Sequence, residues 1–147
     1  MIRKILIPMY ESAATENAVK NGIELAQATG AAVVGLALTE REPLEMCVGL
    51  MVSGVESLQH YNDHGRELAE RTLAPIAQAA RAAGVEYHGS SLRNGAAANA
   101  IIRTAEEECC DLICLAMHER HDLLGTHLDR DTTWILTHSH IPVLLCH

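Results

Sequence analysis

The sequence predicts an α/β fold, a single domain built on an open five-stranded parallel sheet with helices on both faces. Short segments rich in Val, Ile and Leu alternate with longer segments whose apolar residues recur at helical spacing. The short segments are continuously apolar, as expected of strands that are buried on both faces. The chain has 147 residues, which is the length of one domain with its own core.

The first third of the chain contains the first two predicted strands and the helix between them. The segment KILIP, closed by Pro8, is typical of a buried strand. Ser12 is a suitable cap for a helix that ends at Gly30. The second strand is AAVVGLAL, and the irregular residues 39–54 follow it. Segments of that length often cover a binding site. The apolar stripe predicted for the helix is Val19, Ile23 and Ala26.

A long second helix is predicted from Val55 to Gly84. Pro75 lies inside it and is expected to bend or split it, because proline removes a helical hydrogen bond. The residues predicted for its inner face are Leu68, Thr72, Ile76, Ala79 and Ala83.

Three more strands are predicted in the second half: VEYHGSSL, DLICLA and IPVLLC. A turn at Asn94-Gly95 leads into the third helix, and residues 132–138 form the fourth. In sheets of this kind, ligands bind beyond the carboxyl ends of the strands, where the strand order reverses. The residues predicted to face inward from the third helix are Ile101, Ile102, Ala105 and Cys109.

The composition excludes several classes of function. Eleven Lys and Arg stand against 19 Asp and Glu, a formal charge of -8, which opposes nucleic-acid binding. No apolar segment reaches the roughly 18 residues of a membrane span, and we expect no signal peptide. The five cysteines contain no C-x-x-C pattern, which suits a reducing compartment, so we expect a cytoplasmic protein. At Cys109-Cys110 we expect a helix end with one buried thiol.

Three long segments resemble the universal stress proteins: IRKILIPMYESAATENAVKNGIELAQATGAAVVGLAL, LRNGAAANAIIRTAEEECCDLICLA and ILTHSHIPVLLCH. This resemblance covers nearly the whole chain and implies a Rossmann-like, five-stranded parallel sheet. It also implies a homodimer formed through the last strand, in which Val143 and Leu145 are expected to be buried. The residues of that dimer strand are Ile141, Pro142, Val143, Leu144, Leu145 and Cys146.

One branch of this family binds ATP through the pattern G-x2-G-x9-G-[S/T] after the fourth strand, with an Asp at the end of the first. Aligned without a gap, the three glycine positions are Ala116, Glu119 and Asp129. The Ser/Thr position is Arg130, and the first-strand Asp position is Tyr10. Every position of the motif therefore departs from the ATP-binding pattern.

Two of these departures place carboxylates where a phosphate loop needs bare backbone. Repulsion between a carboxylate and a phosphate at about 4 Å costs roughly 1 kcal/mol in water and about 4 kcal/mol at a partly screened site. The ring of Tyr10 could also make the cleft smaller. Alternatively, Arg120 and Arg130 simply pair with nearby acids on a solvated loop. The side chains that could offset the repulsion are His118, Arg120, His121 and Arg130.

We therefore expect a non-catalytic stress-response homodimer that does not bind ATP in the usual way and acts through its surface or a protein partner. No G-x-S-x-G, Walker or H-E-x-x-H motif is present, and no cofactor, nucleic acid or membrane is expected. Weak binding of a small ligand other than ATP in the same cleft remains an open alternative. The candidate cleft residues are Pro8, Met9, Tyr10, Leu38, Ala116, His118, Glu119, Arg120, Asp129, Arg130 and Thr132.

Two alternatives remain at this point. The first is a nucleotide-binding or slowly hydrolysing protein with a divergent phosphate loop. The second is a metal- or redox-responsive sensor that uses the histidines and Cys109-Cys110. His60 and His64 lie one helical turn apart, a metal-ligand spacing, but two ligands are too few to predict a site. Further ligands could come from His118, His121, Asp122 and His127.

Overall fold

A computed structural model describes residues 1–10, 15–39, 55–93, 96–117, 119–122 and 125–147. For residues 39, 55–62, 92–93, 119–122 and 125–127 it describes the backbone alone. Ser12, the turn at Asn94-Gly95, His118 and residues 40–54 lie outside the described residues. The predictions made for that turn, for His118 and for residues 40–54 stay predictions.

The strands of the described residues are β1 (Lys4–Tyr10), β2 (Ala32–Thr39), β3 (Tyr87–Arg93), β4 (Leu112–Ala116), β5 (Glu119–Asp122), β6 (Gly125–Leu128) and β7 (Val143–Cys146). Five of them form a parallel sheet in the order β3-β2-β1-β4-β7, which confirms the predicted fold class. The strand order reverses between β1 and β4, at the middle of the sheet. A separate antiparallel pair, β5-β6, follows β4.

In the part of the chain that the structure describes, four helices cover the sheet, and successive residues of β1 divide the core between its two faces. Ile5 and Ile7 point into a cluster under the first two helices, which we call the first cluster. Leu6 points into the second cluster, under the other two helices. The helices are α1 (Glu16–Thr29), α2 (Val55–Ala83), α3 (Ala97–Glu107) and α4 (Arg130–His138).

Proline does not close β1, so the prediction that the strand ends at Pro8 is wrong. Pro8 is fully buried inside the strand and lies opposite Leu36 of β2. On the other side, the ladder to β4 pairs only Ile5 and Leu6. Pro8 therefore lies beyond that ladder, and its missing N–H removes none of the hydrogen bonds of the two pairs in it.

The first helix begins later than predicted. It starts at Glu16, and Thr15 occupies the capping position without a side-chain cap. Its end is as predicted, because Gly30 has a left-handed φ of 71° and donates its N–H to the carbonyl of Ala26. The predicted stripe Val19, Ile23 and Ala26 is buried.

The long helix α2 is continuous across Pro75, so of the two predicted outcomes, a bend or a split, the split is wrong. Pro75 is exposed, and the packing of the neighbouring turns against the sheet holds the helix together. The face against the sheet is also rotated by about one residue from the prediction. Of the five predicted positions only Ile76 is buried, and the other four are half-buried: Leu68, Thr72, Ala79 and Ala83. The buried residues of this face are Ala69, Leu73, Ile76 and Ala80.

The thiol of Cys109 does not face inward, contrary to the prediction. Helix α3 ends at Glu107, and Cys109 is exposed with a positive φ of 54°. Its neighbour Cys110 is buried, as expected of a helix end with one buried thiol. Burial raises the pKa of the Cys110 thiol to about 11.

The segment after β4 was predicted as a loop but contains the hairpin β5-β6. Glu119 lies opposite Leu128, and Arg120 lies opposite His127. Whether such a short polar segment forms a strand depends on the strand it pairs with, and the sequence of the segment alone does not show that pairing.

Candidate functional site

The predicted cleft lies at the carboxyl ends of β1 and β4, beside the first turn of α4. Tyr10 is the last residue of β1 and packs against the second cluster. Burial, and after it the negative charges of Asp131 and Asp129, raises the pKa of Tyr10 far above its ordinary value. The phenol is therefore held neutral and lies close to the start of α4.

The first turn of α4 is capped by a side chain of the chain itself. Asp129 is the N-cap residue, and its Oδ1 accepts the N–H of Thr132 at 2.8 Å. Its Oδ2 accepts the hydroxyl of Thr132 at 2.7 Å. An aspartate is favoured here because it satisfies an unpaired N–H and complements the positive end of the helix dipole.

This cap determines what the helix end can bind. The free N–H groups and positive dipole at a helix N-terminus ordinarily form a site for phosphate. Here one of those N–H groups already donates to a carboxylate. Asp131 adds a second negative charge in the same turn. A triphosphate at this place would have to displace the cap and approach two carboxylates.

The structure brings together only part of the predicted cleft. Leu38, Ala116 and Thr132 are buried, and at most 9% of the surface of each is exposed to a ligand. Arg130 is exposed. Glu119 and Arg120 lie in β5, where only the backbone is described.

Met9 lies on the other face of β1 from the part of the predicted cleft that contains Tyr10. It points into the first cluster, on the opposite face of the sheet from Tyr10. Its sulfur accepts the hydroxyl of Thr15 at 3.4 Å. The alternation of side chains along a strand separates the two neighbours, although they adjoin in the sequence.

Sequence reasoning missed a groove of about 640 Å³ between α1 and α2. Its wall on α2 carries the small residues Pro75, Ala79 and Ala83 at four-residue spacing. That spacing is visible in the sequence, but Ala79 and Ala83 are predicted there to face inward, and Pro75 is predicted only to bend or split the helix. A smaller groove of about 330 Å³ lies between α2 and β3.

Among the described residues, no group of three or more His, Cys, Asp or Glu side chains could hold a metal ion. His64 is exposed on α2, and the side chain of His60 lies outside the description. In the same part of the chain, the helices are too short or too polar to cross a membrane.

Comparison with known proteins gives one family. The model of the Universal stress protein family matches residues 1–147. A universal stress protein from Archaeoglobus fulgidus has a TM-score of 0.69 and 15% identity, covering 100% of this chain and 99% of its own. A protein of the universal stress protein family from Burkholderia pseudomallei has a TM-score of 0.69 and 22% identity. The match covers 98% of this chain and 95% of the Burkholderia chain.

A third solved structure is the Archaeoglobus fulgidus universal stress protein in complex with dAMP. Its TM-score is 0.65 and its sequence identity is 14%. The match covers 100% of this chain and 98% of the Archaeoglobus chain. Among curated proteins, no sequence matches the chain.

Proposed function

The chain belongs to the universal stress protein family, and we propose that it is a non-catalytic stress-response protein that acts as a homodimer and does not bind ATP in the usual way. The observation that carries this proposal is the capping of α4 by Asp129. We further infer a cytoplasmic location and a protein partner rather than a nucleic acid, from the composition.

The first step of the argument concerns charge. Asp129 and Asp131 both lie in the first turn of α4, close enough to Tyr10 to raise the pKa of its phenol. A phosphate placed there would meet each carboxylate at a cost of roughly 1 to 4 kcal/mol. The dipole of a single helix offsets only about 0.3 to 1 kcal/mol.

The second step concerns hydrogen bonding. ATP binding at a helix N-terminus depends on backbone N–H groups that are free to donate. The N–H of Thr132 is occupied at 2.8 Å by a carboxylate that is always present. A ligand must therefore compete with an intramolecular bond, which has no cost in association entropy.

A second candidate function is nucleotide binding with a divergent phosphate loop. It is favoured by the dAMP complex of the Archaeoglobus fulgidus protein, whose fold this chain shares over its full length. A nucleoside monophosphate carries fewer negative charges than ATP and would meet less repulsion at the same place.

Calorimetric titration with Mg-ATP and with dAMP tests the proposal. We expect no heat of ATP binding from the wild-type protein at low micromolar concentration. Asp129→Gly should gain affinity, because it removes a charge and releases an N–H. Glycine is a tolerated N-cap and costs only a few tenths of a kcal/mol, so the variant should fold.

Asp129→Asn is the matched control, since asparagine keeps the cap and removes the charge. A gain in both variants identifies repulsion as the cause, and a gain in Asp129→Gly alone identifies the occupied N–H. Tight ATP binding by the wild-type protein would overturn the proposal, and binding of dAMP alone would favour the second candidate.

A further inference from the structure

Two buried thiols on neighbouring strands are in contact. Cys114 lies in β4 and Cys146 lies in β7, and their sulfur atoms are 3.4 Å apart. Their exposed fractions are 0% and 5%. Cys114 lies opposite Leu144, and Ala116 lies opposite Cys146, so the two thiols are diagonal neighbours on the same face of the sheet.

The surroundings hold this pair in a fixed arrangement. The thiol of Cys114 donates to the carbonyl of Ala18 at 3.4 Å, which leaves its sulfur to accept the S–H of Cys146. Helix α1 packs closely above, because a Cβ at Gly22 would lie 3.5 Å from the sulfur of Cys114. Both cysteines belong to the first cluster.

We propose that Cys114 and Cys146 are an oxidation site, a dithiol that hydrogen peroxide converts to a disulfide joining β7 to β4. The inference does not depend on whether the chain binds ATP, because the two thiols lie on the opposite face of the sheet from Tyr10. It does involve the proposed dimer, because a partner paired with β7 would hinder the separation of that strand, so the oxidation is expected to proceed through the monomer.

The folded dithiol is protected from oxidants. Burial, with the neighbouring Cys146 as a lesser cause, raises the pKa of the Cys114 thiol, and thiols react as thiolates. Oxidation therefore begins when one of the two strands separates from the other.

That strand is β7. All five residues of β4 are buried, and β4 lies between β1 and β7. In β7, which is at an edge of the sheet, Val143 and Leu145 are half-buried and Leu144 is 36% exposed. Separation of β7 breaks only its ladder to β4, whereas separation of β4 would break two ladders and expose more apolar surface. The opening of β7 therefore costs less free energy than the opening of β4.

The chemistry balances in two steps. In the open state the Cys146 thiol loses its proton to water, and the thiolate attacks one oxygen of hydrogen peroxide. The O–O bond breaks, and Cys146 becomes a sulfenic acid as hydroxide leaves and takes up that proton to form water. When β7 returns, the Cys114 sulfur attacks the sulfenic sulfur, an S–S bond forms, and the Cys114 proton leaves with the hydroxyl as a second water.

The contact between the sulfur atoms is what favours the second step. Holding two reacting groups together raises their effective concentration far above that of competing thiols in solution. Cys109 is exposed and lies outside the first cluster, so its thiol is not held against Cys114 or Cys146. Oxidation of Cys109 is expected to give a sulfenic acid or a disulfide to another chain.

Peptide mapping after peroxide treatment tests the inference. The full chain is treated with hydrogen peroxide, alkylated under denaturing conditions, digested and analysed by mass spectrometry. We expect a peptide pair linked through Cys114 and Cys146, with a chain mass lower by two hydrogen atoms. A thiol reductant should restore both free thiols.

Variants test the assignment and the route. Cys146→Ser should abolish the linked pair, and Cys109→Ser should leave it unchanged. Val143→Ala, which loosens β7, should accelerate disulfide formation, whereas Ser91→Ala on the opposite edge strand should not. The inference fails if wild-type Cys114 and Cys146 both remain alkylated as free thiols after Cys109 is oxidised. The route through β7 is wrong if Val143→Ala reacts at the wild-type rate.

Discussion

At the scale of single residues, Asp129 shows how one side chain can stabilise a structure and restrict its function. A carboxylate is among the best N-caps, and this one accepts from both the N–H and the hydroxyl of Thr132. The negative charge of the same carboxylate would repel a phosphate bound at this end of the helix. A glycine at this position would contribute little to the cap and would leave the N–H free for a ligand.

Tyr87 carries a hydroxyl that is buried without a hydrogen-bond partner among the described residues. The ring lies over Gly35 and Gly89, where a Cβ would come within 3.0 and 3.1 Å of its oxygen. Burial raises the pKa of this phenol. The absence of side chains at the two glycines makes room for the ring but supplies no acceptor.

We predict that Tyr87→Phe raises the free energy of unfolding by up to about 1 kcal/mol, because it removes a desolvated donor and keeps the ring. Urea denaturation monitored by circular dichroism measures this change. Tyr87→Leu is the control and should lower stability, since it leaves a cavity over the glycines. A loss of stability in Tyr87→Phe would mean that the hydroxyl has a partner, such as a bound water.

At the scale of elements, Asp111 joins β1 to β4. Its Oδ2 accepts the backbone N–H groups of Arg3 at 2.8 Å and Lys4 at 3.0 Å. Its own N–H donates to the carbonyl of Lys4 at 2.8 Å. The bond from the N–H of Arg3 is the main cause that lowers the pKa of Asp111. The central strand pair is thus fastened at its amino end.

The lowered pKa gives a pH dependence with a definite sign. A depressed carboxyl pKa in the folded state contributes stability that is present above the unfolded value of about 3.9 and is lost as the pH falls through the folded value. We predict that Asp111→Asn is less stable than the wild type at neutral pH and that the difference disappears in acid. Urea midpoints across that range measure it, and a difference independent of pH would contradict the assigned cause.

At the scale of the whole molecule, the two edges of the sheet differ. The edge strand β3 carries Gly89 and the serines Ser90 and Ser91. The edge strand β7 presents Leu144, one of the exposed large apolar side chains. Apolar edges favour pairing with another chain, and polar edges disfavour it. The dimer that we propose would therefore form through β7.

The fold limits how much of Val143 and Leu145 a partner could bury. Both are already half-buried against the second cluster of their own chain, and their further burial in a dimer stays a prediction. Leu144 points to the other face and is more exposed. It is therefore the better position for a test.

We predict that Leu144→Arg raises the dimer dissociation constant by roughly tenfold or more, because a two-fold contact would bring two like charges together, and about 1.4 kcal/mol gives a factor of ten. Analytical ultracentrifugation measures the change. Ser91→Arg places the same charge on the opposite edge and should leave the dimer intact. A wild-type monomer, or dissociation by Ser91→Arg alone, would contradict the assignment.

The sequence by itself determined the four helices and the five strands of the parallel sheet in their order along the chain, because these follow from local apolar patterns and from crossover rules. It did not predict the hairpin β5-β6. It also placed Gly30 and Gly84 at helix ends, since positive φ values of 71° and 67° favour glycine whatever surrounds them. The departures from the ATP-binding pattern, which the resemblance implies, also concern single positions and stay a prediction.

Only the tertiary structure decided which side chains meet. The cap formed by Asp129, the rotated inner face of α2 and the contact between Cys114 and Cys146 depend on register and on the orientation of packed elements. Strand pairing brought the two thiols together across 32 positions of the chain. Local patterns carry no information about such distances, because the same periodicity fits several rotations of a helix and several registers of a strand.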